Sequence, residues 1–559
     1  MSYGPGSILE TPNGPVLARS MQDFFRNIGR DPFDFEILDE RLTDGELSGG
    51  RIFRIASNAE LEVEDDSAIY PTFTFPTWSI CTRHVPQVIY RRRDGCPDCR
   101  DMKEFDRAQK AGREAIRFVL ACKAGHLSDV DWRGLVHGAS NCDSQVYRWH
   151  GGGRSLRYIE IECVRCNARA NFGAAYQRKN WHCLGKFPER NSTAAGCTEG
   201  AQIVQRNAAN LRLPDMVSAL TIVSVPSRLH KLINAHPVIL QTAKTLRKQG
   251  KLTQPDLLSL VEGEIPPGSL EQLREMSWPY LLNAMEQLLD LKAAQGKSLL
   301  QGEFEAFQAA ATEGIGSKDL AALPGQPPIF EINPNKVRVL NRALPLRIVP
   351  VERLRMVHVQ TSYRRVIATD PQVVDVSYSV NGQTWFPGVA LSGEGIFIDS
   401  NGQPLALSGN RFNHWMSMYS ASGDSNLHPA AVWWHTLAHR LIRAMSVESG
   451  YSSASIRERV YLHLDGTSPA LGGVLLYTVQ PGGDGTLGGL LALAAKVEQL
   501  IDQALADIDS CSNDPICEDN SPTVSLGSAC YACLFASETS CEKRNLWLDR
   551  ILLAENQPK

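Results

Sequence analysis

The residues best placed to do chemistry are 14 cysteines, and they are not spread evenly along the chain. Nine lie between Cys81 and Cys197, five lie between Cys511 and Cys541, and none falls in the long stretch that separates them. A thiolate is either a nucleophile or a soft metal ligand. Repeated Cys-x-x-Cys spacing favours the second role, because two ligands on one tight turn chelate a single ion.

Cys81-x2-His84-x11-Cys96-x2-Cys99 reads as two such knuckles at zinc-ribbon spacing, a tetrahedral ligand set for Zn²⁺ in which His84 is the weakest member. Cys163-x2-Cys166-x16-Cys183-x13-Cys197 reads as a second set, with His182 as a competing ligand. Between these two stand Cys122, His126, His137 and Cys142, which are ligand types without a knuckle. They make either a further zinc site or, the preferred reading, a buried thiol and hydrogen-bonded histidines. In the second block, Cys511-x5-Cys517-x12-Cys530-x2-Cys533-x7-Cys541 offers five thiols to an ion that takes four, and spacing leaves the spare one open. The expectation is about three structural zinc ions.

Catalytic zinc has a different signature, an open position with histidine and carboxylate ligands beside a general base. His-Glu-x-x-His is absent, and so is the deaminase pairing of His-x-Glu with Pro-Cys-x-x-Cys, although Ser528-Ala-Cys-Tyr-Ala-Cys533 superficially resembles its second half. Gly296-Lys297-Ser298 fails as a phosphate loop because Leu291 replaces the first glycine, so an ATPase engine is not expected. Gly482–Gly489 precedes a helix and reads as its tight start, with anion binding by the backbone amides as the alternative. His435 and His439 share a helix face but lack a third ligand nearby, and they read as packing or surface residues. A second functional reading keeps enzyme chemistry open, a nucleic-acid-directed zinc enzyme using Cys122, His126, His137 and Cys142 with Asp129 or Asp131 as base.

The elements that must position these residues follow from pattern. The chain of 559 residues exceeds one hydrophobic core, and an α+β multidomain fold is expected. Residues 1–70 read as an extended N-terminal segment, 71–224 as zinc-ribbon modules, 225–324 as a helical middle with Leu281, Leu282, Met285, Leu288 and Leu289 as its apolar stripe, 325–425 as a β-rich segment with Asn-Gly turns at 381–382 and 401–402, and 426–559 as an α/β zinc-binding domain. The net charge of −4 excludes a uniformly basic nucleic-acid coat. It leaves local basic faces, Arg91, Arg92 and Arg93 and then Lys244, Arg247 and Lys248, as candidate DNA contacts. No start resembling a secretory signal and no bilayer-length apolar run is visible, so a cytoplasmic chain without a membrane partner is expected. In that reducing compartment clustered cysteines are metal ligands rather than disulfides.

Several runs carry a resemblance. Trp434-His-Thr-Leu-Ala-His-Arg-Leu-Ile-Arg443, Ser449-Gly-Tyr451, Leu475-Leu-Tyr-Thr478, Gly483-Asp-Gly-Thr-Leu-Gly-Gly-Leu490, the second cysteine block and Asn545-x2-Leu-Asp-Arg550 resemble the MrfA-type zinc-binding domain. Cys122-x2-Gly-His126, Asp131-Trp132, Val136-His137 and Gln205-Arg-Asn-Ala-Ala-Asn-x-Arg-x-Pro214 resemble the DrmB family of DISARM anti-phage systems. The resemblance implies a non-catalytic subunit that associates with a DrmA-like superfamily 2 helicase and helps engage foreign DNA. It also implies a zinc role for Cys511, Cys517, Cys530, Cys533 and Cys541.

Overall fold

Where the cysteines are dense the chain runs in short strands, as small metal modules do when ligands replace part of an apolar core. The structure, a computed structural model, describes residues 4–558 except 29–31, 65–69, 100–112, 152–154, 222–236, 314–329, 465–469, 481–487, 519–525, 538–539, most of 263–297 and the single positions 38, 40, 57, 59, 60 and 139. The chain divides into two units, Met1–Ser218 with His358–Val389, and Ala219–Val357 with Ala390–Lys559.

In the first unit an antiparallel sheet runs in the order Arg169–Asn171, Glu160–Cys163, Val146–His150, Gln87–Arg91, Trp78–Cys81, Arg113–Ala115. A smaller antiparallel sheet pairs Ala201–Gln205 with Phe118–Cys122 and that strand with Leu127–Asp129. Trp78, Phe118, Trp132, Tyr147, Phe172 and Trp181 make their common core. The Asn-Gly signal at 381–382 is realised: Asn381 (φ 51°) and Gly382 (φ 77°) are both left-handed, the geometry of a type I′ hairpin turn, between Tyr378–Val380 and Gln383–Asp399.

Two short helices here depend on their caps. Asp131 precedes Trp132–His137 and accepts the Gly134 N–H at 2.9 Å; Asn171 does the same for Phe172–Gln177 with Ala174 at 2.8 Å. Six-residue helices have little else to hold their first turn. Asp131→Ala is expected to cost about 1 kcal/mol, read as a lowered urea midpoint of the first unit, while Asp131→Asn should stay close to wild type.

The second unit is built on Pro429–Glu448, a helix of 20 residues that starts with Pro429 at its first position and the His428 ring accepting from the Ala430 N–H. Trp433, Trp434, Leu437, Leu441, Ile442 and Met445 bury it on nearly every side. It packs on the antiparallel strands Arg457–His463 and Leu471–Gln480, the latter pairing with 392–399 of the neighbouring strand, and on the helices Val497–Ala506 and Arg550–Glu555. Gly472 allows that approach, since a Cβ there would lie 2.5 Å from Trp434 Nε1.

The helix Asn410–Ser422 corrects the expectation of β structure up to residue 425. It buries Trp415, whose indole N–H donates to Asp549 at 2.9 Å, and that anchor overrides the turn-rich local sequence. Pro237–Lys248, Gln254–Val261 and Leu299–Glu313 are helical as expected for the middle stretch. The stripe at Leu281–Leu289, Gly296-Lys297 and 482–487 lie outside the described residues. Gly488 precedes the helix Gly489–Leu493, and buried Glu394 occupies its N-terminus, accepting from Leu490 N–H at 2.8 Å. Burial holds the Glu394 carboxyl above its usual range despite these amides. No helix among the described residues is long and apolar enough to cross a membrane.

Candidate metal centres

Tetrahedral zinc with sulfur and imidazole ligands places its donor atoms about 3.3–3.8 Å apart. The described residues contain five groups of four donors that lie within 4.8 Å of one another, and together they account for all 14 cysteines. The first is as the spacing implies: Cys81, His84, Cys96 and Cys99, with Cys81 Sγ 3.8 Å and His84 Nε2 3.2 Å from Cys99 Sγ. Both knuckles lie beside the strands Trp78–Cys81 and Gln87–Arg91.

The remaining cysteines of the first block correct the sequence reading. Cys163, Cys166, Cys183 and Cys197 do not share one site. Cys183 and Cys197 join Cys122 and His126, while Cys163 and Cys166 join His137 and Cys142, so one group is nested inside the other along the chain. Strand pairing explains it. Cys122 lies opposite Ala201, and Trp181 bridges to Ala201, which brings Cys183 and Cys197 to the end of that strand. Cys163 lies opposite Tyr147, just after Cys142, and the helix Trp132–His137 delivers His137. In the outer group Cys122 Sγ is 3.3 Å from His126 Nδ1 and 3.5 Å from Cys183 Sγ. In the inner group Cys142 and Cys163 are 3.8 Å apart and His137 Nδ1 is 3.6 Å from Cys166 Sγ. His182 is exposed and belongs to neither.

The turn of the outer group shows why Cys122-x2-Gly-His carries a glycine. Gly125 has φ +86°, and a Cβ there would stand 2.1 Å from Val374 Cγ2. Its carbonyl accepts from the buried Arg365 Nε at 2.9 Å, which fixes the loop between Cys122 and His126. The enzyme reading of the central residues loses its geometry. Its four residues serve two groups, Asp129 accepts from the Thr77 N–H (2.8 Å) and hydroxyl (2.6 Å), and Asp131 is a helix cap.

In the second block Cys511, Cys517, Cys530 and Cys533 converge, with sulfurs 3.5–3.7 Å apart, and Cys541 is the thiol left over. Those separations far exceed a disulfide bond. Arg550, buried beside Cys517 and Cys533, supplies a cation to a group whose four thiolates outweigh one divalent ion. Cys541 instead meets His435, His439 and Glu458. The histidine pair is visible in the sequence at i, i+4. Its partners come from the strand Arg457–His463 and from Cys541 at the end of the second block, a juxtaposition that the packing of the long helix creates.

The donor chemistry fits zinc. Backbone amides point at the sulfurs in the knuckle pattern, Arg165 N–H to Cys163 (3.3 Å), Gly185 N–H to Cys183 (3.4 Å) and Asn513 N–H to Cys511 (3.5 Å). Burial pushes the Cys96 and Cys183 thiols up to about 12 and Cys517 up to about 11. Such thiols keep their protons at neutral pH until a cation displaces them. Sets of three or four sulfurs leave no open position, so these groups can hold structural zinc and brace the loops around it.

The basic candidates are only partly available. Arg91 lies 4.6 Å over the Trp78 ring, Arg92 donates to the Asn13 carbonyl, and Arg93 is exposed with Asp94 at 3.5 Å. With Thr74 and Thr77 the three arginines line one shallow recess. Arg247 and Lys248 end the helix Pro237–Lys248, and the Lys244 side chain lies outside the described residues.

Residues 437–534 match the MrfA Zn-binding domain, and residues 1–213 match a domain of unknown function, DUF8724. A DISARM protein DrmB from Bacillus paralicheniformis is 28% identical over 539 residues, spanning 87% of this chain and 89% of its own length. A crystal structure of the DUF1998 helicase MrfA bound to DNA aligns at 10% identity and a TM-score of 0.20, covering 33% of this chain and 20% of the helicase, too little to relate the two folds. The chain is thus similar to a DISARM protein DrmB along most of its length and carries an MrfA Zn-binding domain near its C-terminal end.

Proposed function

We propose that this chain is a zinc-stabilised, non-catalytic subunit of a DISARM-type anti-phage system, working in the cytoplasm with a DrmA-like helicase and engaging foreign DNA alongside it. The observation that carries this reading is the 28% identity to DrmB across 87% of the chain. The lack of a phosphate-binding loop in the sequence and the sulfur-rich, closed ligand sets both support an accessory role. Zinc would sit on Cys81, His84, Cys96 and Cys99; on Cys122, His126, Cys183 and Cys197; on His137, Cys142, Cys163 and Cys166; and on Cys511, Cys517, Cys530 and Cys533. DNA contact by this subunit alone is weak and electrostatic, with Arg93 and Lys248 as its exposed arms.

The test is co-expression with a DrmA-like helicase, followed by capture through a tag on this chain. The helicase is expected to co-elute, and the pair to retain duplex DNA in low salt. In the Arg93→Ala, Lys248→Ala variant the slope of log K against log salt should flatten by about 0.9 for each DNA phosphate that is no longer neutralised. ATP hydrolysis by the purified chain alone, or failure of the helicase to co-elute, would sink the reading.

A further inference from the structure

We propose that His435, His439, Glu458 and Cys541 form a fifth metal centre, a mixed nitrogen, oxygen and sulfur site for Zn²⁺, separate from the four-cysteine group of the same unit. All four residues are buried, with exposures of 3%, 0%, 0% and 4% in that order. Cys541 Sγ lies 3.3 Å and Glu458 Oε1 3.4 Å from His435 Nε2, and the four donor atoms all fall within 4.8 Å of one another.

The surroundings fix each donor as an acceptor aimed inward. His435 Nδ1 faces the Trp547 carbonyl at 3.2 Å and His439 Nδ1 faces the Leu534 carbonyl at 2.9 Å. A carbonyl can only accept, so each Nδ1 carries the proton and each Nε2 turns a lone pair into the group. This is how metal-bound histidines are held, with the second ring nitrogen donating to a carbonyl or carboxylate. Glu458 Oε1 accepts the Glu542 N–H at 3.1 Å, and Cys541 Sγ accepts the Asn545 N–H at 3.2 Å. His439 Nε2 and Glu458 Oε2 are buried and have no hydrogen-bond partner. Two orphaned acceptors in a dry interior are costly, and one cation answers both.

Charge and donor type choose the cation. Two neutral imidazoles, one carboxylate and one thiolate bring two negative charges, so a divalent ion gives a neutral centre that suits full burial. Magnesium and calcium prefer all-oxygen shells, whereas tetrahedral zinc accepts this set. The rival arrangement, a protonated His435 paired with Glu458, leaves His439 Nε2 without a donor. The centre would tie the long helix Pro429–Glu448, the strand Arg457–His463 and the loop at Cys541 together at one point.

The test counts zinc in the full chain, purified without chelators, by elemental analysis against amino-acid analysis. About five ions per chain are expected, and one fewer in His439→Gln. A wild-type count of four, or no loss in His439→Gln, would overturn the proposal. Should that variant not fold, zinc-edge X-ray absorption of the wild-type chain decides: five centres average fewer than three sulfur ligands per zinc, four sulfur-rich centres more than three. The count does not depend on helicase or DNA, so it can fail while the subunit reading stands.

Discussion

Stripping zinc from the purified chain is expected to unfold its first unit outright. The cysteine-bearing part of that unit relies on short elements, such as Glu160–Cys163, Val146–His150 and Trp132–His137, too short to persist without tertiary anchors. Three four-donor groups lie in it. A structural zinc contributes roughly 10–16 kcal/mol of apparent binding free energy, comparable to the whole net stability of about 5–15 kcal/mol of an ordinary domain. Loss of even one ion therefore outweighs any repacking. Tryptophan fluorescence reads the event, since Trp78, Trp132 and Trp181 are buried in the affected core. Acid acts in the same direction. Thiols that burial has pushed up to about 12 regain protons readily, so falling pH favours the metal-free form. Unchanged fluorescence in a sample shown to be zinc-free would defeat the claim.

Single ligand changes separate the nested arrangement from a consecutive one. Cys163→Ser and Cys183→Ser should each lose one zinc, and the double variant two, because the residues serve different ions. Were Cys163, Cys166, Cys183 and Cys197 to hold a single ion, the double variant would lose no more than either single one.

That contrast marks where sequence stops being legible. Cys81, His84, Cys96 and Cys99 are local, two knuckles on adjoining turns, and spacing alone names them. The Asn381-Gly382 turn and the long helix around Trp434 are equally readable, since each depends on short-range pattern. The crossed pairing of Cys122 with Cys183 is set by a strand register, Cys122 opposite Ala201, that no motif encodes. Cys541 shows the same limit. Spacing leaves it as one of five candidates for a single ion, whereas the folded chain sends it to two histidines more than a hundred positions earlier.

Arg459→Met is expected to destabilise the second unit by about 3–5 kcal/mol, the largest effect of any single change away from the metal groups. Arg459 is 3% exposed and meets Glu303 through two bonds, Nε to Oε2 at 2.6 Å and Nη2 to Oε1 at 3.0 Å. Its remaining nitrogen donates to Glu542 at 2.9 Å, and Glu303 also accepts from the Tyr461 hydroxyl (3.1 Å) and the Leu220 N–H (2.9 Å). The helix Leu299–Glu313, the strand Arg457–His463 and the residue after Cys541 are thus joined by one guanidinium. Removing it strands a fully buried carboxylate, and that uncompensated charge, more than the missing bonds, sets the penalty. Glu303→Gln added to Arg459→Met should recover a substantial share at neutral pH, because the amide removes the buried charge, its oxygen still accepts the Leu220 N–H and its nitrogen can donate to the Tyr461 hydroxyl oxygen. Urea unfolding of the two variants at neutral pH decides it. Equal loss in both, with no recovery in the double variant, would show that packing rather than charge holds this junction.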